Sequence, residues 1–152
     1  MGTKIKTRPF GEIEIQDQQV IDFPDGILGF DDVKKFVLLD TQDDTSPLKW
    51  LQAYDVPELA FVIIRPVDFI KEYDLVVSMN DIEAIEADEP EKMLVFAIVT
   101  IPKNPAEMTA NLQGPIIINP SKRLGRQAIS LSDKYTVRHR IIDEIQKAAA
   151  EG

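Results

Sequence analysis

Three observations predict an all-β, mainly antiparallel fold built as a small barrel or sandwich in one domain. The chain holds many short β-prone segments, its ten prolines stand at most of their ends, and helical stretches are brief. No βαβ unit, no repeat of solenoid period and no low-complexity linker interrupts the 152 residues. The simplest organisation is a barrel-like domain over residues 1–140 and a tail over 141–152, helical or frayed.

Gly11 to Phe23 alternates in part (Ile13, Ile15, then Val20, Ile21, Phe23) and reads as two short strands around the polar turn Gln16-Asp17-Gln18-Gln19. In Phe23-Pro24-Asp25-Gly26 a proline sets φ, an aspartate bonds nearby backbone, and a glycine accepts positive φ, so a turn follows. Asp31 to Lys35 reads as one helical turn and Phe36 to Leu39 as a strand. Pro47 to Ala53 and Leu59 to Ile64 are further strands, the second stopped by Pro66. Val67 to Tyr73 reads as loop or short turn, Leu75 to Val77 as a strand, and Asn80 to Pro90 as a helix with Ile82 and Ile85 on its apolar face. Met93 to Ile101 is a strong strand ended by Pro102. Ile116-Ile117-Ile118 is stiff at χ1, suits a strand, and lacks alternation, which fits a strand covered on both faces. Gly114-Pro115 and Asn119-Pro120 read as chain-bending borders to it. Arg126 to Leu131 and Lys134 to Arg140 are shorter strand candidates, and Ile141 to Ala150 has near-helical apolar spacing.

A chain of this length buries about 70% of the surface its unfolded form exposes, enough for a core without covalent staples. With no cysteine there is no disulfide framework, thiolate zinc site or cysteine nucleophile. Met1 to Phe10 carries Lys4, Lys6 and Arg8 without an apolar run behind them, unlike a signal peptide, and no run is long enough to span a membrane. A cytoplasmic protein is the expectation. The net charge of −9 and a pI near 4.6 repel polyanions at long range and steer basic proteins in.

Catalytic constellations are missing from the pattern. The single histidine, His139, lies between Arg138 and Arg140 with no orienting carboxylate beside it in sequence; such a residue is ordinarily exposed or capping. No Walker-type or GxGxxG loop and no nucleophile elbow occurs. Asp81, Glu83, Glu86, Asp88, Glu89 and Glu91 crowd one stretch, but without EF-hand spacing or its turn glycine. They form either a solvated helix face or a negative patch that docks a basic partner. Lys122, Arg123, Arg126, Lys134, Arg138 and Arg140 gather in the last third and are expected to pair with acidic neighbours or flank strand edges.

Several motifs then occur in one order: Phe23-Pro24-Asp25-Gly26-Ile27-Leu28-Gly29-Phe30, Trp50-Leu51-Gln52-Ala53, Leu59-Ala60-Phe61-Val62-Ile63, Asn111-Leu112-Gln113-Gly114-Pro115-Ile116-Ile117-Ile118-Asn119, Gly125-Arg126-Gln127 and Tyr135-Thr136-Val137-Arg138-His139. Each alone is weak, but the ordered set resembles the flagellar assembly factor FliW family. The resemblance implies a small antiparallel β-barrel-like protein without catalytic activity or cofactor, active in the cytoplasm. It also implies two alternative protein partners: newly made flagellin, and the RNA-binding translational repressor CsrA, whose inhibition couples flagellin synthesis to filament assembly. Direct nucleic-acid or membrane binding is not implied, and the free protein is expected to be monomeric.

Within that frame Glu83, Glu86, Asp88, Glu89 and Glu91 are the candidate docking residues for CsrA, and Asn111 and Gln113 are candidates for a partner contact. Flagellin's terminal segments are helical and apolar on one face, so a hydrophobic groove is the physical requirement for them. Ile27, Leu28, Phe30, Phe69 and Met108 are apolar residues in turns that could line it, with core packing as the ordinary alternative. Two rival classes are a small-molecule-binding β-barrel using a flavin or nucleotide, and a purely structural flagellar adaptor.

Overall fold

A computed structural model describes residues 2–40, 47–70 and 73–143. A hairpin of β1 (Gly2–Thr7) and β2 (Gly11–Gln16) leads through a 3-10 turn at Asp17–Gln19 into β3 (Val20–Asp22). There follow β4 (Lys35–Asp40), β5 (Leu48–Ala53), β6 (Ala60–Ile64), the short helix α1 (Met79–Ala84), β7 (Leu94–Thr100), β8 (Thr109–Asn119), β9 (Leu124–Gln127) and β10 (His139–Arg140). Strands β3 to β9 close into a 7-strand barrel in the order β3-β4-β5-β6-β7-β8-β9. Every pairing is antiparallel except the closure, where β9 meets β3 in parallel through Asp22 and Leu124. The all-β barrel expectation is met.

The barrel has an apolar interior and three apolar patches on its outer wall, so several strands are covered on both faces. Phe23, Phe36, Leu51, Ile63, Phe96, Ile116 and Ile118 fill the interior. Outside, the β1–β2 hairpin covers Val37 and Leu39 with Ile5 and Ile15. Phe69, Ile70, Tyr135 and Ile141 cover Ile64, Ala97, Val99 and Leu112. The chain around α1 covers Ile117 with Ile85, Leu75 and Val77. The unbroken isoleucine run thus has a cause: Ile116 and Ile118 point in, Ile117 points out, and all three are at most 1% exposed. Each contributes roughly 2 kcal/mol of burial.

β8 corrects the reading of its own border. Gly114-Pro115 do not stop the strand; it runs from Thr109 through them. Phe96 faces Ile116 and Ile98 faces Asn111, so residues 112–115 bulge opposite Ala97. Asn111 makes the bulge possible, because its Oδ1 accepts from the backbone N–H of Gln113 (3.1 Å) and of Gly114 (2.9 Å). Before the bulge β8 pairs with β10; after it, with β9.

Other expectations shift as well. β1 went unrecognised, although Ile5 alternates with Lys4 and Lys6. Asp31 to Lys35 forms no helix: Val33 N–H donates to Phe30 O and the chain continues as a turn into β4. Leu75 to Val77 is no strand; Leu75 and Val77 pack on the wall, Val76 is exposed, and Val76 O accepts one bond, from Leu131 N–H. The helix expected over 80–90 ends at Ala84, β9 stops at Gln127, and β10 is confined to His139–Arg140. Residues 141–143 begin helically; the rest of the expected 141–150 helix lies outside the described residues.

Candidate protein-docking surface

Ser78 caps α1, its Oγ accepting from Asp81 N–H at 3.2 Å. Glu86 takes positive φ (54°) beyond the helix end, turning the chain away, so Glu86 to Glu91 do not share the face of α1. Glu83, Glu86, Asp88, Glu89 and Glu91 are all exposed, with Glu89 bonded to Lys92 at 2.7 Å. Asp81 differs: it is buried, and its Oδ1 accepts from Arg126 Nε at 2.7 Å.

Two anchors hold this acidic segment on the barrel. Asn119, buried at the end of β8, donates from Nδ2 to Ile85 O (2.9 Å) and Glu86 O (3.0 Å), while its Oδ1 accepts from Ser121. Arg126 on β9 bonds both Asp81 and Asp25, joining α1 to the Pro24-Asp25-Gly26 turn. The Asp81 hydrogen bond, first among its causes, raises the Arg126 pKa from its usual value against a smaller desolvation effect, so the guanidinium stays charged. Sequence reading expects acidic partners for Arg126 without singling out Asp81 or Asp25, and it does not reveal the Asn119 anchor. Asn119 looked like a turn former, and the Arg126–Asp81 pair depends on packing between distant segments.

The other basic residues are divided. Lys134 pairs loosely with Asp74, Arg140 with Asp143, and Arg123 donates to Asp17 O. His139 packs edge-on against Tyr135, whose hydroxyl accepts from Asp74 N–H at 2.8 Å. Glu91 borders a cleft of about 380 Å³ with Arg65, Tyr73 and Met93. Burial, then the nearby Tyr135 and Asp74, push the Tyr73 phenol up to about 12.

Asn111 and Gln113 serve the bulge in part: Asn111 as above, and the exposed Gln113 by donating from Nε2 to Tyr135 O at 3.1 Å. Of the apolar turn residues, Ile27 and Phe69 are buried and Met108 is half-buried, whereas Leu28 and Phe30 are exposed. The tight turn Ile27-Leu28-Gly29-Phe30 explains Leu28. Phe30 N–H donates to Ile27 O at 2.6 Å, Gly29 takes φ +88°, and Leu28 projects from the tip. Its N–H donates to Gln127 Oε1 at 2.9 Å, fixing the tip beside β9. Between them lies a groove of about 400 Å³ bordered by Asp25, Leu28, Asp31, Arg126 and Ile129. Among the described residues no group of three acidic or histidine side chains could hold a metal ion, and no helix is long and apolar enough to cross a membrane.

Fold and surface together define a small, closed antiparallel β-barrel that carries an acidic segment on its outer wall. The profile of the FliW protein family matches residues 4–141. The flagellar assembly factor FliW of Ruminiclostridium cellulolyticum is 41% identical over 143 residues, covering 94% of this chain and 97% of that protein. FliW of Leptospira interrogans serogroup Icterohaemorrhagiae serovar Lai is 40% identical over 144 residues, 94% of this chain and 95% of its own length. A crystal structure of the flagellar assembly factor FliW superposes with a TM-score of 0.84 at 35% identity, covering 91% of this chain and 96% of that one. The chain belongs to the FliW family.

Proposed function

We propose that this protein is a cytoplasmic flagellar assembly factor that acts by binding rather than catalysis, taking flagellin and the translational repressor CsrA as alternative partners. In this reading, CsrA bound to it no longer represses flagellin translation, so flagellin synthesis follows filament assembly. The observation that carries the reading is the family match across nearly the whole chain. The net charge of −9 supports a basic partner, chiefly through association rate. Glu83, Glu86, Asp88, Glu89 and Glu91 are the proposed CsrA-docking residues, their segment held on the barrel by Asn119; Asn111 and Gln113, at the β8 bulge, are further candidates for a partner contact.

Size-exclusion chromatography of the protein with flagellin and CsrA, separately and together, tests the reading. Two separate complexes and no ternary one are expected; a stable ternary complex overturns the alternation. Reversing the five acidic charges together should weaken CsrA binding most at low salt, since exposed charges are screened within about 10 Å at 0.1 M. Unchanged affinity and salt dependence would remove these residues from the docking surface.

A further inference from the structure

The barrel wall leaves a short open edge at Ile129 beside an apolar, acidic groove; the next outward-facing amide, Leu131 N–H, already donates to Val76 O at 2.7 Å and bounds that edge. Past the end of β9 the chain stays extended along β8, with Ala128 N–H donating to Pro115 O and Ser130 N–H to Gln113 O, both at 2.8 Å. Strand alternation therefore turns the N–H and C=O of Ile129 away from β8. On that side β3 pairs with β9 only at Leu124 and then departs into the Pro24 turn. Among the described residues the Ile129 N–H and C=O have no hydrogen-bond partner.

The groove along this edge offers what an added strand needs. Leu28 and Ile129, 84% and 72% exposed, stand on its two sides, and Leu131, two residues on, is exposed as well. Its one lining cation, Arg126, is occupied by Asp81 and Asp25, while Asp31 is exposed and has no ion pair among the described residues. The local field is negative. We infer that this groove receives an extended, lysine- or arginine-bearing segment of a protein partner, which adds as a strand to the Ile129 edge and lays alternate apolar side chains against Leu28 and Ile129.

The partner's identity rests on the proposed function: of the two partners, CsrA is the basic one, whereas flagellin's terminal segments are helical and unsuited to strand addition. Per-residue amide exchange and binding titrations with purified CsrA test the site. The Ile129 amide should exchange about tenfold or more slowly in the complex. Ile129→Pro removes a donor that the fold does not use, leaves the Ala128 and Ser130 bonds in place, and follows a residue already extended. It should keep the wild-type circular dichroism spectrum and flagellin affinity while weakening CsrA about tenfold. Leu28→Ser, at an exposed turn tip, removes the apolar contact without changing the charge, should do the same and serves if the proline variant misfolds. Wild-type protein that binds CsrA with Ile129 unprotected, and with both variants unaffected, overturns the groove alone. Wild-type protein that does not bind CsrA overturns the partner assignment and the function proposed above with it.

Discussion

The two ends of the barrel are lined by the same kinds of residue and finished differently. At the end where β3 stops and β4 starts, the chain supplies its own plug: Phe23 and Ile27 pack inward, Val33, Val56 and Leu59 close over them, and Phe36 and Phe61 meet Phe23 and Phe30 edge to face with ring centroids 5.1 and 5.4 Å apart. At the other end Ile21, Leu38, Leu94 and Ile118 border an apolar hollow of about 240 Å³, with Arg123 on its rim. Gln52 secures the plugged end. Buried on β5, it shares its two amide protons among Ala53, Val56, Pro57 and Leu59 carbonyls (3.0 to 3.3 Å) and accepts from Arg8 N–H at 2.9 Å. Stability should therefore be concentrated at one end, leaving the other tolerant of change.

Truncating the plug should cost most. Phe23→Ala removes a fully buried ring that the rigid wall cannot replace, and denaturant titration should show a loss of about 3–5 kcal/mol. Gln52→Ala takes a donor from the Ala53 and Pro57 carbonyls and leaves the Arg8 N–H without its acceptor, while the Val56 and Leu59 carbonyls keep backbone donors; about 1–2 kcal/mol is expected by the same measurement. Gly125→Ala sets a small entropic gain, below about 1 kcal/mol, against a Cβ placed 2.5 Å from the Phe23 ring. Because that ring is enclosed, the clash wins and thermal melting should show a net loss of about 1–2 kcal/mol. Leu94→Ala at the open end, where the residue is 37% exposed, should cost less than about 1 kcal/mol. A Leu94 loss as large as that of Phe23 would erase the asymmetry.

What could be read from sequence follows from which forces are local. The isoleucine run announced a strand covered on both faces because β-branching and lack of alternation are properties of neighbouring residues. Gly114-Pro115 misled, because the same residues that break a strand also build a bulge inside one, and only the register with β7 tells the two apart. Leu75 to Val77 had a strand's composition and found a wall to pack on instead of a partner strand. The exposed state of Glu83 to Glu91 was legible as a charge run. The separate fate of Asp81 was not, since Arg126 reaches it only after β9 closes the barrel. Asn119 shows the same limit: its carbonyl acceptors at Ile85 and Glu86 are far away in the chain.

The parallel closure between β3 and β9 is the thinnest seam in the wall. One residue pair, Asp22 with Leu124, and the bond from Asp22 N–H to Arg123 O carry it, where the antiparallel neighbours share several pairs each. When the cylinder breathes, it should unzip there first and become a curved open sheet still held by the other six junctions. Because Phe23 and Gly125 flank the seam, sealing it and seating the plug are one event, so the last step of folding also locks the end that carries the stability.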